Sequence, residues 1–206
     1  MLYVGLTGNI ASGKTQAAER LAELGATIVD ADVLAREAVE PGSDGLRQVV
    51  ERWGSAVLSP DGTLDREALR HIVFGDPEQL EELNAIIHPG VGRLRDTMVE
   101  TARARGDAVL VYVVPLLFER HLAQEFDSIV LVDAPAQLRL ERLTELRKVS
   151  GADAANMIAA QMPAELKRAR ADFVIENDGS LEGLLEQVDA VWERLTASTA
   201  RPSLAG

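Results

Sequence analysis

Residues Gly8 to Thr15 read GNIASGKT: one glycine, four intervening residues, then Gly13-Lys14-Thr15. Each position has a physical job in holding phosphate. Gly8 and Gly13 allow backbone angles and close approaches that a Cβ would block. The N–H groups of such a loop converge on phosphate oxygens, and the helix that follows adds the positive end of its dipole. Lys14 reaches the β- and γ-phosphates of a nucleotide, and the Thr15 hydroxyl can ligate Mg²⁺. A glycine-rich helix start with a solvated lysine is the alternative, and the flanks argue against it. Leu2–Thr7 is a short apolar run of β-formers, and Thr15–Leu24 is amphipathic with Leu21 and Leu24 on one side. Only three lysines (Lys14, Lys148 and Lys167) stand among the 21 Lys and Arg, so composition does not account for a lysine here.

Outward from this loop, five runs rich in β-branched residues predict buried strands: Leu2–Thr7, Thr27–Asp30, Ala108–Val114, Ser128–Val132 and Phe173–Glu176. Helical patterns lie between most of them, as expected for βαβ units. The predicted fold is α/β: a P-loop NTPase-type three-layer αβα arrangement on a five-stranded parallel sheet. Ligands of such sheets collect at the carboxyl ends of the strands. The phosphate loop, Asp30-Ala31-Asp32, Pro115 and Asp133 all fall there.

The spacing is uneven. Roughly 75 residues separate the second and third strands, far more than one crossover helix needs. Asp44–Trp53, Asp65–Val73 and Pro77–Arg105 read as helices within it, broken at Pro60-Asp61-Gly62 and at His88-Pro89. A second insertion, about 136–170, is helical and basic. The expected organisation is one domain over 1–206. Its core covers about 1–35, 106–135 and 171–196, with a helical acceptor subdomain at about 36–105, a small helical lid at about 136–170 and a mobile tail at 197–206.

With 206 residues, 47% of them hydrophobic, the chain can bury a full core, and its net charge of −12 argues against a nucleic-acid or anionic-membrane partner. Cysteine is absent, which excludes disulfides and thiol chemistry. The longest apolar run, Ala108–Phe118, is too short to span a bilayer. No secretory signal pattern precedes the phosphate loop, so a cytoplasmic location is the expectation. The sequence names no protein partner.

Three further constellations bear on chemistry. Asp30 and Asp32 end the second strand, where two carboxylates two residues apart share a face of an extended chain. One of them can accept a proton from an acceptor hydroxyl or hold the water shell of Mg²⁺; capping the helix over Val33–Val39 is the equally open alternative. Arg139, Arg142, Arg147 and Lys148 crowd one stretch, with Lys167, Arg168 and Arg170 further on. A helix would present Arg139 and Arg142 together, either as a lid over nucleotide phosphates or as a solvated face paired with Glu141 and Glu145. Pro115–Glu119 leaves the third strand, turns and starts a helix that Glu119 can cap. His71 and His121 look incidental, and Trp53 and Trp192 read as packing residues.

Together these pieces resemble the dephospho-CoA kinase family. The similarity runs from about Tyr3 to Leu185. It rests on GLTGNIASGKT at Gly5–Thr15, Val29–Asp32 with Ala35-Arg36, Pro41-Gly42, Asp61–Arg66, Leu83-Asn84 through His88-Pro89, Pro115–Glu119, Gln161, and Ala171-Asp172 with Asn177. The resemblance implies ATP-dependent phosphorylation of the ribose 3′-hydroxyl of dephospho-CoA, the last step of coenzyme A synthesis, with ATP and Mg²⁺ bound. It implies that Ala11, Ser12, Gly13, Lys14, Thr15 and Gln16, with Gly8, hold the ATP phosphates and that Asp32 is the base. Arg36, Asn84, His88, Pro115, Leu116 and Glu119 would serve the acceptor, and Arg142 would be the lid arginine on ATP. Family lids carry a second arginine four residues later; here Leu146 holds that place and Arg147 follows, a displacement of about 100° on an α-helix. A kinase for a nucleoside or nucleoside monophosphate is the nearest competing reading. A regulatory nucleotide switch lacks its guanine-specificity motif here.

Overall fold

The computed structural model describes residues 1–199. Its centre is a five-stranded sheet in the order β2-β3-β1-β4-β5, formed by β1 (Leu2–Thr7), β2 (Thr27–Asp30), β3 (Val109–Val113), β4 (Ser128–Asp133) and β5 (Phe173–Glu176). β1 pairs in parallel with β3 and with β4, and β4 with β5. All five predicted strands are present; β3 is one residue shorter at each end than expected, and β4 runs on to Asp133.

The period of two explains how the sheet is covered. Val4 and Leu6 on β1 point into one apolar cluster with Val109, Val111 and Val113 of β3 and Val130 and Val132 of β4. Helix α1 (Lys14–Glu23) and helix α9 (Leu181–Thr199) close that face with Ala17, Leu21, Leu184, Val188 and Leu195. On the opposite face, Tyr3 lies against Phe126, with ring centroids 4.9 Å apart. A Cβ on Gly5 would stand 2.6 Å from Leu117. Both faces of β1 are therefore buried, as a central parallel strand requires.

The chain forms two compact units, one of Met1–Ile28 with the chain from Ala102 on, the other of Val29–Thr101. The second unit holds α2 (Ala31–Glu37), α3 (Asp44–Trp53), α4 (Arg66–Val73) and most of α5 (Pro77–Arg105). Its core is Val39, Leu46, Val49, Val57, Leu69 and Val73, with Trp53, Leu83, Ile86 and Ile87 packed on it. Pro60-Asp61-Gly62 is a tight turn in which Asp61 accepts from the Thr63 N–H at 3.0 Å, and it joins Leu58 to Leu64 across a single bridge.

The predicted break at His88-Pro89 does not occur. Helix α5 runs 29 residues with Pro89 inside it. Proline removes one helical hydrogen bond, but Leu83, Ile86 and Ile87 on the preceding turns are held in the core. Tertiary packing overrides the local penalty. Gly90 follows because a Cβ there would come within 3.1 Å of the Ala38 Cβ.

The second insertion contains α6 (Ala136–Glu141), a π-helical turn at Arg142–Leu146, α7 (Gly151–Ala159) and α8 (Ala164–Arg168). Ser150 caps α7, its hydroxyl accepting from the Asp153 N–H at 3.1 Å. The expected tail is partly helical, since Ala197–Thr199 belong to α9; the remainder of that expectation lies outside the described residues. Among the described residues no helix is long and apolar enough to cross a membrane.

Candidate active site

The phosphate loop fills the link between β1 and α1, as the sequence predicts. Gly13 takes φ 100° at the N-cap of α1, a left-handed angle that glycine adopts at little cost. A Cβ there would also collide with the Asn177 side-chain amide. Ala11 has φ 59°, so the loop holds a strained residue between its glycines. The Lys14 ammonium donates to the carbonyls of Gly8 and Asn9 at 2.8 and 3.1 Å, which folds it over the loop. Thr15 and Gln16 are exposed in the first turn of α1. Ser12 is fully buried, and its hydroxyl has no hydrogen-bond partner among the described residues.

Polar side chains from distant sequence hold the loop from outside. Buried Asn177, just after β5, donates to the Ser12 carbonyl at 2.7 Å. Arg142 donates to the Ala11 carbonyl and to the Asn177 side-chain oxygen, both at 3.1 Å. Ile10 N–H donates to Gln161 Oε1 at 2.7 Å, and Asn9 Nδ2 to the Met162 carbonyl at 3.3 Å. The structure thus brings Gly8, Ala11, Ser12, Gly13, Lys14 and Arg142 together.

Arg142 and Arg139 do not act as a pair. Arg139 is 5% exposed and donates Nε to the Ala134 carbonyl at 3.1 Å. Burial pushes its guanidinium below the usual value, partly countered by Asp133 and Glu165. Neither arginine takes Glu141 or Glu145 as a partner, because Arg139 turns into the core and Arg142 toward the loop. Arg168 pairs with Asp133 at 2.8 Å and with Glu176, tying α8 to the ends of β4 and β5. Hydrogen bonding to Arg168 holds the Glu176 carboxyl below its ordinary range against the upward push of burial. Within the basic cluster Arg139 and Lys167 are buried, while Arg147, Lys148, Arg168 and Arg170 are exposed.

The π-helical turn changes the reading of the second lid arginine. A π turn closes i→i+5 rather than i→i+4. Residue i+5 consequently takes the azimuth that i+4 holds on an α-helix. Arg147 stands five residues after Arg142, directly after this turn, and both it and Leu146 are exposed.

Pro115–Glu119 is a run of turns, not the start of a helix. The Pro115 carbonyl and the Glu119 carboxylate are engaged elsewhere, which removes the expected cap. Pro115 O accepts from the Thr7 hydroxyl at 3.2 Å, and Glu119 forms an ion pair with buried Lys167 at 2.8 Å. Burial pushes the Glu119 carboxyl up, but the hydrogen bond and charge of Lys167, with backbone donors, hold it below its ordinary value.

In the other unit, Asp30 and Asp32 do not share a strand face. Asp30 caps α2, its carboxylate accepting from the N–H groups of Asp32 at 2.7 Å and Val33 at 3.2 Å. Asp32 stands in the first turn of that helix, exposed, with exposed Arg36 one turn on. Asn84 and His88 are likewise four apart on unbroken α5, so they share one face.

Comparison with known proteins gives the family. A family model described as Dephospho-CoA kinase matches residues 2–183. The chain belongs to the dephospho-CoA kinase family. A dephospho-CoA kinase of Streptomyces avermitilis is 48% identical over 202 residues, covering 98% of each chain. One from Thermobifida fusca is 45% identical over 195 residues, covering 95% of this chain and 96% of its own. A crystal structure of a Thermus thermophilus protein superposes with a TM-score of 0.79 at 38% identity, over 94% of this chain and 97% of that one.

Two features of this family member escaped the reading of its sequence. Asn9 gave no signal, since it sits at a variable position of the motif. Lys167 appeared only as one more charge in a basic stretch; its rarity as a lysine was the available clue.

Proposed function

We propose that the protein transfers the γ-phosphoryl group of ATP to the ribose 3′-hydroxyl of dephospho-CoA, giving coenzyme A and ADP. The observation that carries the proposal is the phosphate loop itself: a left-handed Gly13 opening α1, with Lys14 folded over the loop and Arg142 against it. Family membership supplies the acceptor.

In this reading Gly8, Ala11, Ser12, Gly13, Lys14, Thr15 and Gln16 bind the triphosphate. Lys14 and Arg142 exchange their carbonyl partners for phosphate oxygens, which stabilises charge on the group in flight. Mg²⁺, when bound, neutralises charge between the β- and γ-phosphates. The residues suit it: the exposed Thr15 hydroxyl makes no hydrogen bond among the described residues, and hard oxygen donors with phosphates are what this ion takes. Asp32 accepts or orients the 3′-hydroxyl proton, with Arg36, Asn84, His88, Pro115, Leu116 and Glu119 serving the acceptor. Residues of about 36–105 act as the acceptor subdomain and those of about 136–170 as the lid.

The test is ADP release from ATP–Mg²⁺ with dephospho-CoA, AMP, CMP, a nucleoside or no acceptor. Release driven by dephospho-CoA alone, with coenzyme A identified by mass, supports the proposal; another preferred acceptor sinks it. Asp32→Asn should lower turnover by about 10²-fold, and near-normal turnover would remove Asp32 as the base.

A further inference from the structure

The segment between α7 and α8 crosses two loops at once. On one side, Gln161 Oε1 accepts from the Ile10 N–H at 2.7 Å and the Met162 carbonyl accepts from Asn9 Nδ2 at 3.3 Å. On the other, the Met162 N–H donates to Glu119 Oε1 at 3.2 Å. Lys167, with no exposed surface, places Nζ 2.8 Å from the same oxygen and 3.4 Å from the Pro115 carbonyl. Two consecutive residues thus bridge the phosphate loop to the turn after β3, and a buried ion pair anchors that turn.

As a source of stability this arrangement is poor. Burying an ammonium and a carboxylate costs desolvation that well-packed apolar residues avoid. Glu119 Oε2 is also buried and has no hydrogen-bond partner among the described residues. What directional, charged contacts supply better than apolar ones is a defined geometry.

We infer that Gln161, Lys167 and Glu119 are positioning residues: a strap that sets the spacing between the phosphate loop and the Pro115–Glu119 turn. The inference rests on the reading of that turn as part of the acceptor site. Gln161 and Lys167 touch neither reacting atom; they act through the loops they hold. Phosphoryl transfer depends on in-line placement, and a displacement of about 1 Å can cost about 10²-fold in rate. Loss of the strap therefore reads out in kcat more than in KM.

Gln161→Leu removes the acceptor for the Ile10 N–H at a half-buried site and spares the ion pair. It should lower kcat about tenfold, leave KM for ATP and for dephospho-CoA within about threefold, and keep the melting temperature. Gln161→Glu retains an acceptor oxygen. It should restore most of kcat while raising KM for ATP, because its charge lies beside the phosphate loop. Hydrogen exchange supplies a readout independent of activity. In Gln161→Leu, exchange should quicken not only in 8–16 but also in 116–120, on the far side of the strap. Unchanged kcat, a loss that merely follows melting temperature, a Glu variant no better than Leu, or exchange confined to 8–16 would each overturn the strap. A wild-type protein silent toward dephospho-CoA would instead sink the acceptor reading, and the exchange result would still decide the strap.

Discussion

The two compact units solve different problems with different chemistry. In the unit built on the sheet, the core encloses polar groups: Thr7, Asn9, Ser12, Lys167 and Asn177 are all buried beside or behind the phosphate loop. In the unit Val29–Thr101, the buried cluster is aliphatic throughout. Its candidate site residues Asp32, Arg36 and His88 are exposed, and Asn84 is half-buried. Buried hydrogen-bonded groups cannot drift without leaving a partner unsatisfied, so the first unit holds its phosphate loop in a fixed conformation. An apolar core with polar residues on its surface sets a frame without burying the candidate site residues in it. The residues proposed for the triphosphate lie in the first unit, and the proposed acceptor residues Asp32, Arg36, Asn84 and His88 lie in the second.

The sharpest way to break this contrast lies at Lys14. Lys14→Ala should lower turnover by about 10²-fold or more, with melting little changed, in a steady-state assay with ATP–Mg²⁺. A mild kinetic effect would mean that the polar unit does not carry the electrostatics assigned to it. Next in size, Leu46→Ala in the aliphatic core should cost about 2–5 kcal/mol of stability in denaturant titrations, since Leu46 is 6% exposed. The contrast predicts that kcat survives wherever this variant remains folded. A tenfold fall in kcat at full folding would show that the frame itself positions reacting groups.

The smallest effect concerns pH. Glu119 sits below its ordinary value of 4.5 in the folded chain. The folded state then binds that proton less readily than the unfolded state, so the group stabilises the fold above its ordinary range. That contribution fades as pH falls through the lower, folded value. Denaturant midpoints of the wild type and of Glu119→Gln, followed from pH 7 downward, should converge below about pH 4.5. A constant gap would mean that the carboxylate charge does not contribute.

How much of this was legible in advance varied with the range of the interactions. The phosphate motif, the five strands and the helical character of Pro77–Arg105 were readable, because glycine placement, apolar period and helix propensity are local; that α5 runs unbroken through Pro89 was not. Asp30 shows the limit: as the residue between strand and helix it fitted either a strand-face pair or a cap, and only the observed helix start at Ala31 separates them. Arg139 and Arg142 show another, since the expected pair dissolved once Arg139 turned into the core and Arg142 toward the phosphate loop.

The sequence by itself determined the phosphate loop, the α/β order and the family, since each is written in residues close together along the chain. Tertiary structure decided what those residues are tied to. It carried Asn177 onto the Ser12 carbonyl, Gln161 onto Ile10 and Lys167 onto Glu119, and it drew α5 unbroken through Pro89. Such partners lie tens to more than a hundred residues apart. A buried donor or a proline in a helix is tolerated only when the folded surroundings supply what the local chain lacks.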